Sequence, residues 1–195
     1  MSKVLRFVSR RRASAQHPDL SFYNLNIVNS CGKPVAQSQA IALSVEQDTL
    51  LAQTGAQFYG KSRIEGAVDF IFGQYASIWI TGSTIKSIGN GCITASGHST
   101  ADSNYYVIND STIEGTGTVY LGRPWADYAR VIVQNSNIGS QVAAAGWQGS
   151  ATPKTDHILF GEYNNKGAGA WHSGRAFFST KLSAGVSISG KHELD

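Results

Sequence analysis

Five stretches of this chain follow one pattern: SFYNLNIVNS (21–30), QFYGKSRIEG (57–66), SIWITGSTIKS (77–87), YYVINDSTIEG (105–115) and RVIVQNSNIGS (130–140). Each runs from aromatic or aliphatic residues through a small polar turn to an isoleucine, then leaves through polar residues or glycine. The aligned isoleucines, Ile27, Ile64, Ile85, Ile113 and Ile138, are separated by 37, 21, 28 and 25 positions. Self-similarity at such a period indicates a solenoid. A helical solenoid would carry a 3.6-residue apolar period, whereas these segments alternate as half-buried strands do. The predicted fold is therefore all-β: a right-handed parallel β-helix whose coils stack with strands about 4.8 Å apart. An antiparallel sandwich is the competing arrangement, but its hairpin signals are nearly absent, Asn90-Gly91 being the one example.

Composition agrees with a strand-and-turn protein. The 195 residues include 21 glycines and one methionine, and 42% are hydrophobic against 15% charged, which excludes a disordered chain. The length suits a single domain with a sizeable core. The net charge of +3 is concentrated in Lys3, Arg6, Arg10, Arg11 and Arg12. The rest is close to neutral, so no nucleic-acid partner is expected. Residues 1–19 are read as a basic, disordered leader, and residues 20–195 as one β-helix domain with 171–195 as its tail. No apolar run reaches membrane-spanning length, and MSKVLRFVSRRRASAQ lacks the apolar centre of a signal peptide. Two cysteines, Cys31 and Cys92, permit at most one disulfide and form no CxxC pair. Asn109-Asp110-Ser111 fits the N-glycosylation pattern but falls in a repeat turn.

In a β-helix, residues one coil apart in sequence become neighbours in space, so reactive groups at coil-length spacing matter. The stretch GAVDFIFG (66–73) places Asp69 in an apolar strand, where a carboxylate is costly unless paired or used. Asp48, in QDTL (47–50), lies 21 positions earlier, the spacing of Ile64 and Ile85. On one face, two such carboxylates would split their pKa values and suit a nucleophile with a general acid/base. The plain alternative is two unrelated turn aspartates. YLGRPW (120–125) adds Arg123, a bidentate partner for a buried carboxylate, and Trp125, a flat surface for a sugar ring.

Together these residues resemble the pectin methylesterases, on QAIAL (39–43), QDTL (47–50), QFY (57–59), IEGAVDFIFG (64–73), ITAS (93–96), VYLGRPW (119–125) and RVIVQNSNI (130–138), the fungal branch more than the plant one. The resemblance spans residues 20 to 170, with a weaker tail in GEYNNKGAGA (161–170). It implies hydrolysis of galacturonate methyl esters in pectin, with Asp69 as nucleophile and Asp48 as proton donor to methanol and then base for water. It implies Gln47 and Gln39 as oxyanion donors, Arg123 as the clamp on Asp69, and Trp125 and Trp147 as aromatics of the sugar cleft. No metal or organic cofactor is implied. The expected partner is methyl-esterified pectin, the protein a monomer, and the place of action extracellular, at the cell wall.

One departure stands out. Gln39 and Gln47 are only 8 positions apart, where the family carries a much longer segment. Eight extended residues span at most about 29 Å, a bend rather than a coil. The family's N-terminal coils are missing too. The chain thus reads as a truncated, internally shortened member whose activity would be impaired; the alternatives are a β-helix that only binds polyuronate, or a nonfunctional product. A lyase, a polygalacturonase and a Ser-His-Asp esterase are disfavoured, since neither their acid or Ca²⁺ clusters nor a G-x-S-x-G stretch is present. The five histidines are read as surface or structural positions.

Overall fold

The computed structural model describes residues 47–150 and 156–188, together with the backbone of three strands before them. The first two, β1 (Lys3–Arg6) and β2 (Leu25–Val28), pair with each other in parallel. Lys3–Arg6 lies inside the leader read as disordered, and here it is a strand.

From β3 onward the chain winds in coils of three strands. Coil one is β3 (Ala42–Ser44), β4 (Leu50–Leu51) and β5 (Thr54–Gly60). Coil two is β6 (Arg63–Gly66), β7 (Ile71–Gly73) and β8 (Tyr75–Thr81). Coil three is β9 (Thr84–Ile88), β10 (Gly91–Ser96) and β11 (Tyr106–Asn109). Coil four is β12 (Thr112–Thr116), β13 (Val119–Pro124) and β14 (Arg130–Gln134). The last coil holds β15 (Asn137–Ile138) and β16 (Leu159–Tyr163), and β17 (Ser179–Lys181) closes the stack. Like positions stack into three parallel sheets: β3-β6-β9-β12-β15 (the isoleucine sheet), β4-β7-β10-β13 (the site sheet) and β5-β8-β11-β14-β16-β17 (the long sheet). Every strand pairing among the described residues is parallel, so the sandwich alternative is excluded. Asn90-Gly91 sits at a corner between two sheets rather than in a hairpin.

Four of the five repeats, those from residue 57 on, are the corners from the long sheet into the isoleucine sheet, and the fifth corner of this kind follows β16. At each, one residue takes a left-handed backbone: Lys61, Gly82, Asp110, Asn135 and Asn164, with φ of 51°, 57°, 43°, 53° and 48°. The residue after it is a buried serine in four coils, and these serines are laddered. The N–H of Ser62 donates to Ser83 Oγ at 3.0 Å, that of Ser83 to Ser111 Oγ at 3.2 Å, and that of Ser111 to Ser136 Oγ at 3.1 Å. A corner turned inward would otherwise strand amide groups that no sheet satisfies.

The isoleucines then stack in register, Leu43 on Ile64, Ile64 on Ile85, Ile85 on Ile113 and Ile113 on Ile138, the four isoleucines fully buried. Each such side chain stabilises the fold by roughly 1.5–3 kcal/mol. The rung beneath Ile64 is therefore Leu43, at a spacing of 21, and not Ile27, which pairs with Leu5. The 37-residue gap is not one repeat: a coil with a leucine in the isoleucine position occupies part of it.

Candidate active site

Asp48 and Asp69 sit at the corner leading from the isoleucine sheet into the site sheet, two positions before β4 and β7. Gln47 bridges Val68 and Leu50 pairs with Ile71, so Asp48 stands directly opposite Asp69, one coil apart. Both take the left-handed backbone, with φ of 53° and 52°. Aspartate tolerates this conformation better than most residues, and repeating it in adjacent coils turns the two side chains off the strand line in the same way. The Asp69 N–H donates to the Cys92 carbonyl at 2.8 Å, tying this corner to the third coil.

Arg123 comes from β13, two coils above Asp69, on the outward row Leu51–Phe72–Ala95–Arg123. Its Nε donates to Asp69 Oδ1 at 3.0 Å and its second amino nitrogen to Oδ2 at 2.6 Å, a two-pronged clamp. Asp69 is only 9% exposed. The apolar strand GAVDFIFG thus tolerates a carboxylate because a charge-assisted, bidentate partner reaches it. The Arg123 guanidinium is held further toward its charged form by that hydrogen bond.

Asp48 is exposed as a residue, but its carboxyl is pushed above the usual aspartate range. Shielding from water by the neighbouring protein contributes most, then the negative charge of Asp69, with Arg123 pulling the other way. The shift favours a proton on Asp48 beside the clamped Asp69, the division of labour an acid–nucleophile pair needs.

Trp125, just past β13, is 42% exposed and leans toward Phe72, ring centroids 6.4 Å apart. A Cβ on Gly97 would lie 2.6 Å from its ring, so the absent side chain at Gly97 makes room for the indole. Gln47 is exposed beside Asp48. Gln39 lies outside the described residues, as does Cys31; Cys92 is a free, buried thiol.

Trp147 is the correction. It is 1% exposed, stacked on Phe160 at 4.5 Å, with its Nε1 donating to Glu162 at 3.0 Å. It therefore presents no face to a sugar. The reason is register: Trp147 bridges Gly122, which continues the inward row Leu50–Ile71–Thr94–Gly122. Side chains alternate across a strand, so this row belongs to the core. The spacing from Gly122 to Trp147 is 25, that of Ile113 to Ile138, and the inward placement was readable from it. Phe72, inside DFIFG, is the aromatic the motif reading passed over; alternation from buried Ile71 puts it outside, against Trp125.

Among the described residues no three His, Cys, Asp or Glu side chains converge in a way that would hold a metal ion. No helix among them is long and apolar enough to cross a membrane.

The chain matches the pectinesterase family over residues 27–186. It is 46% identical over 193 residues to a pectinesterase of Aspergillus aculeatus, covering 85% of this chain and 57% of that protein. A pectinesterase of Aspergillus niger is 40% identical over 194 residues, with 87% and 58% covered. The crystal structure of pectin methylesterase from Aspergillus niger, in deglycosylated form, superposes with a TM-score of 0.70 at 40% identity, over 85% of this chain and 60% of that one. Pectin methylesterase from carrot superposes with a TM-score of 0.69 at 31% identity, over 73% and 50%. The chain thus spans half to three-fifths of the length of these relatives. With a parallel solenoid, two acids in register and an arginine clamp on one of them, it is a member of the pectinesterase family.

Proposed function

We propose that this chain hydrolyses the methyl esters of galacturonate units in pectin, releasing methanol and leaving free carboxylates. Asp69 attacks the ester carbonyl carbon through a carboxylate oxygen. The oxyanion that forms takes a hydrogen bond from the Gln47 side-chain amide. The carbon–methoxy bond then breaks as Asp48 gives its proton to the leaving oxygen, leaving a mixed anhydride between Asp69 and the sugar. Asp48, now a carboxylate, takes a proton from the water that cleaves the anhydride. Asp69 is returned as a carboxylate and Asp48 in its protonated form, and no group outside the protein, ester and water is consumed. Trp125, with Phe72 beside it, offers the sugar a flat apolar surface.

The observation that carries this reading is Asp69 gripped at both oxygens by Arg123, with Asp48 opposite it one coil away. The raised affinity of Asp48 for its proton supports its assignment as the acid. With the reading go a cell-wall substrate outside the cell, a monomeric protein and chemistry without a metal or organic cofactor.

Methanol release from methylated pectin tests it. The chain is expected to turn over, and Asp48→Asn to lose on the order of 10²–10⁴-fold in rate, the worth of a positioned acid/base. Binding of pectin by the unsubstituted chain with no methanol released would instead support a polyuronate-binding β-helix.

A further inference from the structure

Gln148 follows the buried Trp147 and is itself exposed, on the outward row next above Arg123. Its N–H donates to the Gly122 carbonyl at 3.0 Å, which fixes its backbone to the site sheet. Its side chain passes the fourth coil and reaches the third, where Oε1 lies 2.9 Å from Cys92 Sγ. Cys92 in turn accepts the Asp69 N–H at its carbonyl, so the amide of Gln148 ends beside the corner that carries Asp69.

The thiol settles which end of that amide faces it. Cys92 is 2% exposed, and burial followed by the charge of Asp69 pushes it up to about 12, so it keeps its proton. A protonated thiol donates, and the acceptor it meets is the amide oxygen. The other end, Nε2, has no acceptor among the described residues. Arg123, the register neighbour of Gln148 on this row, is already engaged by Asp69, so Nε2 is an uncharged donor at this wall of the site.

We propose that Gln148 is a substrate-positioning residue, whose Nε2 donates a hydrogen bond to an uncharged oxygen of the sugar bound over Asp69, and that Cys92 holds the amide the right way round. The inference rests on the esterase reading for the identity of that sugar, but not on turnover. It adds a donor from the coils above Asp69, on the side away from Gln47.

Binding of a methylated galacturonate oligomer to the Asp69→Asn protein, measured by calorimetry, tests it. Adding Gln148→Leu is expected to weaken binding about tenfold, the worth of one neutral hydrogen bond. Cys92→Val, which keeps the volume and loses the donor, is expected to produce a similar loss, and Cys92→Ser to restore most of it. The double change Cys92→Val with Gln148→Leu is expected to be no worse than Gln148→Leu alone. Melting temperatures identify any variant that fails to fold, and the exposed Gln148→Leu change decides the question if Cys92→Val does. Unchanged binding on Gln148→Leu overturns the proposal, as do losses that simply multiply in the double variant or a parent that binds no oligomer. Methanol release by the unsubstituted chain reports separately: binding that depends on Gln148 without any turnover overturns the esterase reading and leaves this one standing.

Discussion

Arg123 grips both oxygens of Asp69, its Nε shared between Oδ1 and Oδ2 and its amino nitrogen on Oδ2, a fork that only a planar guanidinium can make. Arg123→Lys keeps the charge and loses the fork. It is expected to lower the rate of methanol release about 10- to 100-fold, the range for a charge-assisted hydrogen bond at a reacting group. A steady-state rate equal to that of the unsubstituted chain would show that the clamp is dispensable. At this scale the sequence was most informative where a residue contradicted its surroundings. An aspartate in GAVDFIFG demanded a partner, and Arg123, beside Pro124 and Trp125 in YLGRPW, supplied it. Motif reading failed at Trp147 because it registers residue types and not the side of the strand on which they fall. The row through Gly122 decides that, and it sends the indole into the core.

The coil corners extend the same lesson to the element. Four corners were legible because each repeats a left-handed residue followed by serine, and the stack needs both. The coil below Ile64 was hidden because it carries Leu43 where the others carry isoleucine, while Ile27 imitated the pattern. Beyond β10, His98 is buried in a relay that no motif announced. The Arg130 N–H donates to Ser96 Oγ; Ser96 lies 3.0 Å from His98 Nδ1; and His98 Nε2 lies 3.1 Å from the Ala76 carbonyl, which can only accept. The neutral ring with its proton on Nε2 satisfies every group. Burial accordingly pushes the His98 pKa below 6.5, with Arg130 acting in the same sense and Asp102 and the Ala76 hydrogen bond against it. The unfolded chain then binds the proton more readily than the folded one. Stability from this group is full above pH 6.5 and is lost as pH falls below it. The melting temperature is expected to drop on acidification just below 6.5, and His98→Gln to flatten that part of the curve. An unchanged slope in the variant would assign the pH dependence elsewhere.

A solenoid contacts itself only between neighbouring coils, so its ends need their own fastening. The described end is fastened by a buried ion pair: Arg175 Nε to Glu162 Oε1 at 2.7 Å and a second bond to Oε2 at 3.0 Å, both side chains 1% exposed. Arg175 also donates to the carbonyls of Ala144 and Gly169, and Trp147 completes the carboxylate from the core side. The motif GEYNNKGAGA thus carries an anchor for the last coil, and Trp147 belongs to that anchor. Arg175→Met leaves the Glu162 charge buried and alone, and denaturant titration is expected to show a loss of about 3–5 kcal/mol. The double change to Met at both positions is expected to recover part of it; no recovery would mean that the backbone contacts of Arg175, rather than charge, secure the coil. The outer face of the long sheet shows the same economy. Val107 and Ile132 are covered by Leu182 and Val186, while Phe58, on the same row two coils below Val107, is 60% exposed.

At the level of the whole molecule, the parallel stack holds Asp48 opposite Asp69 and Arg123 across the latter, and the proposed function makes that arrangement the site of ester hydrolysis. Methanol release measured side by side with pectin binding, for the chain and for Asp69→Asn, tests that claim most directly. The account predicts that both proteins bind methylated pectin and that only the unsubstituted chain releases methanol from it. Release at the unsubstituted rate from Asp69→Asn would contradict it.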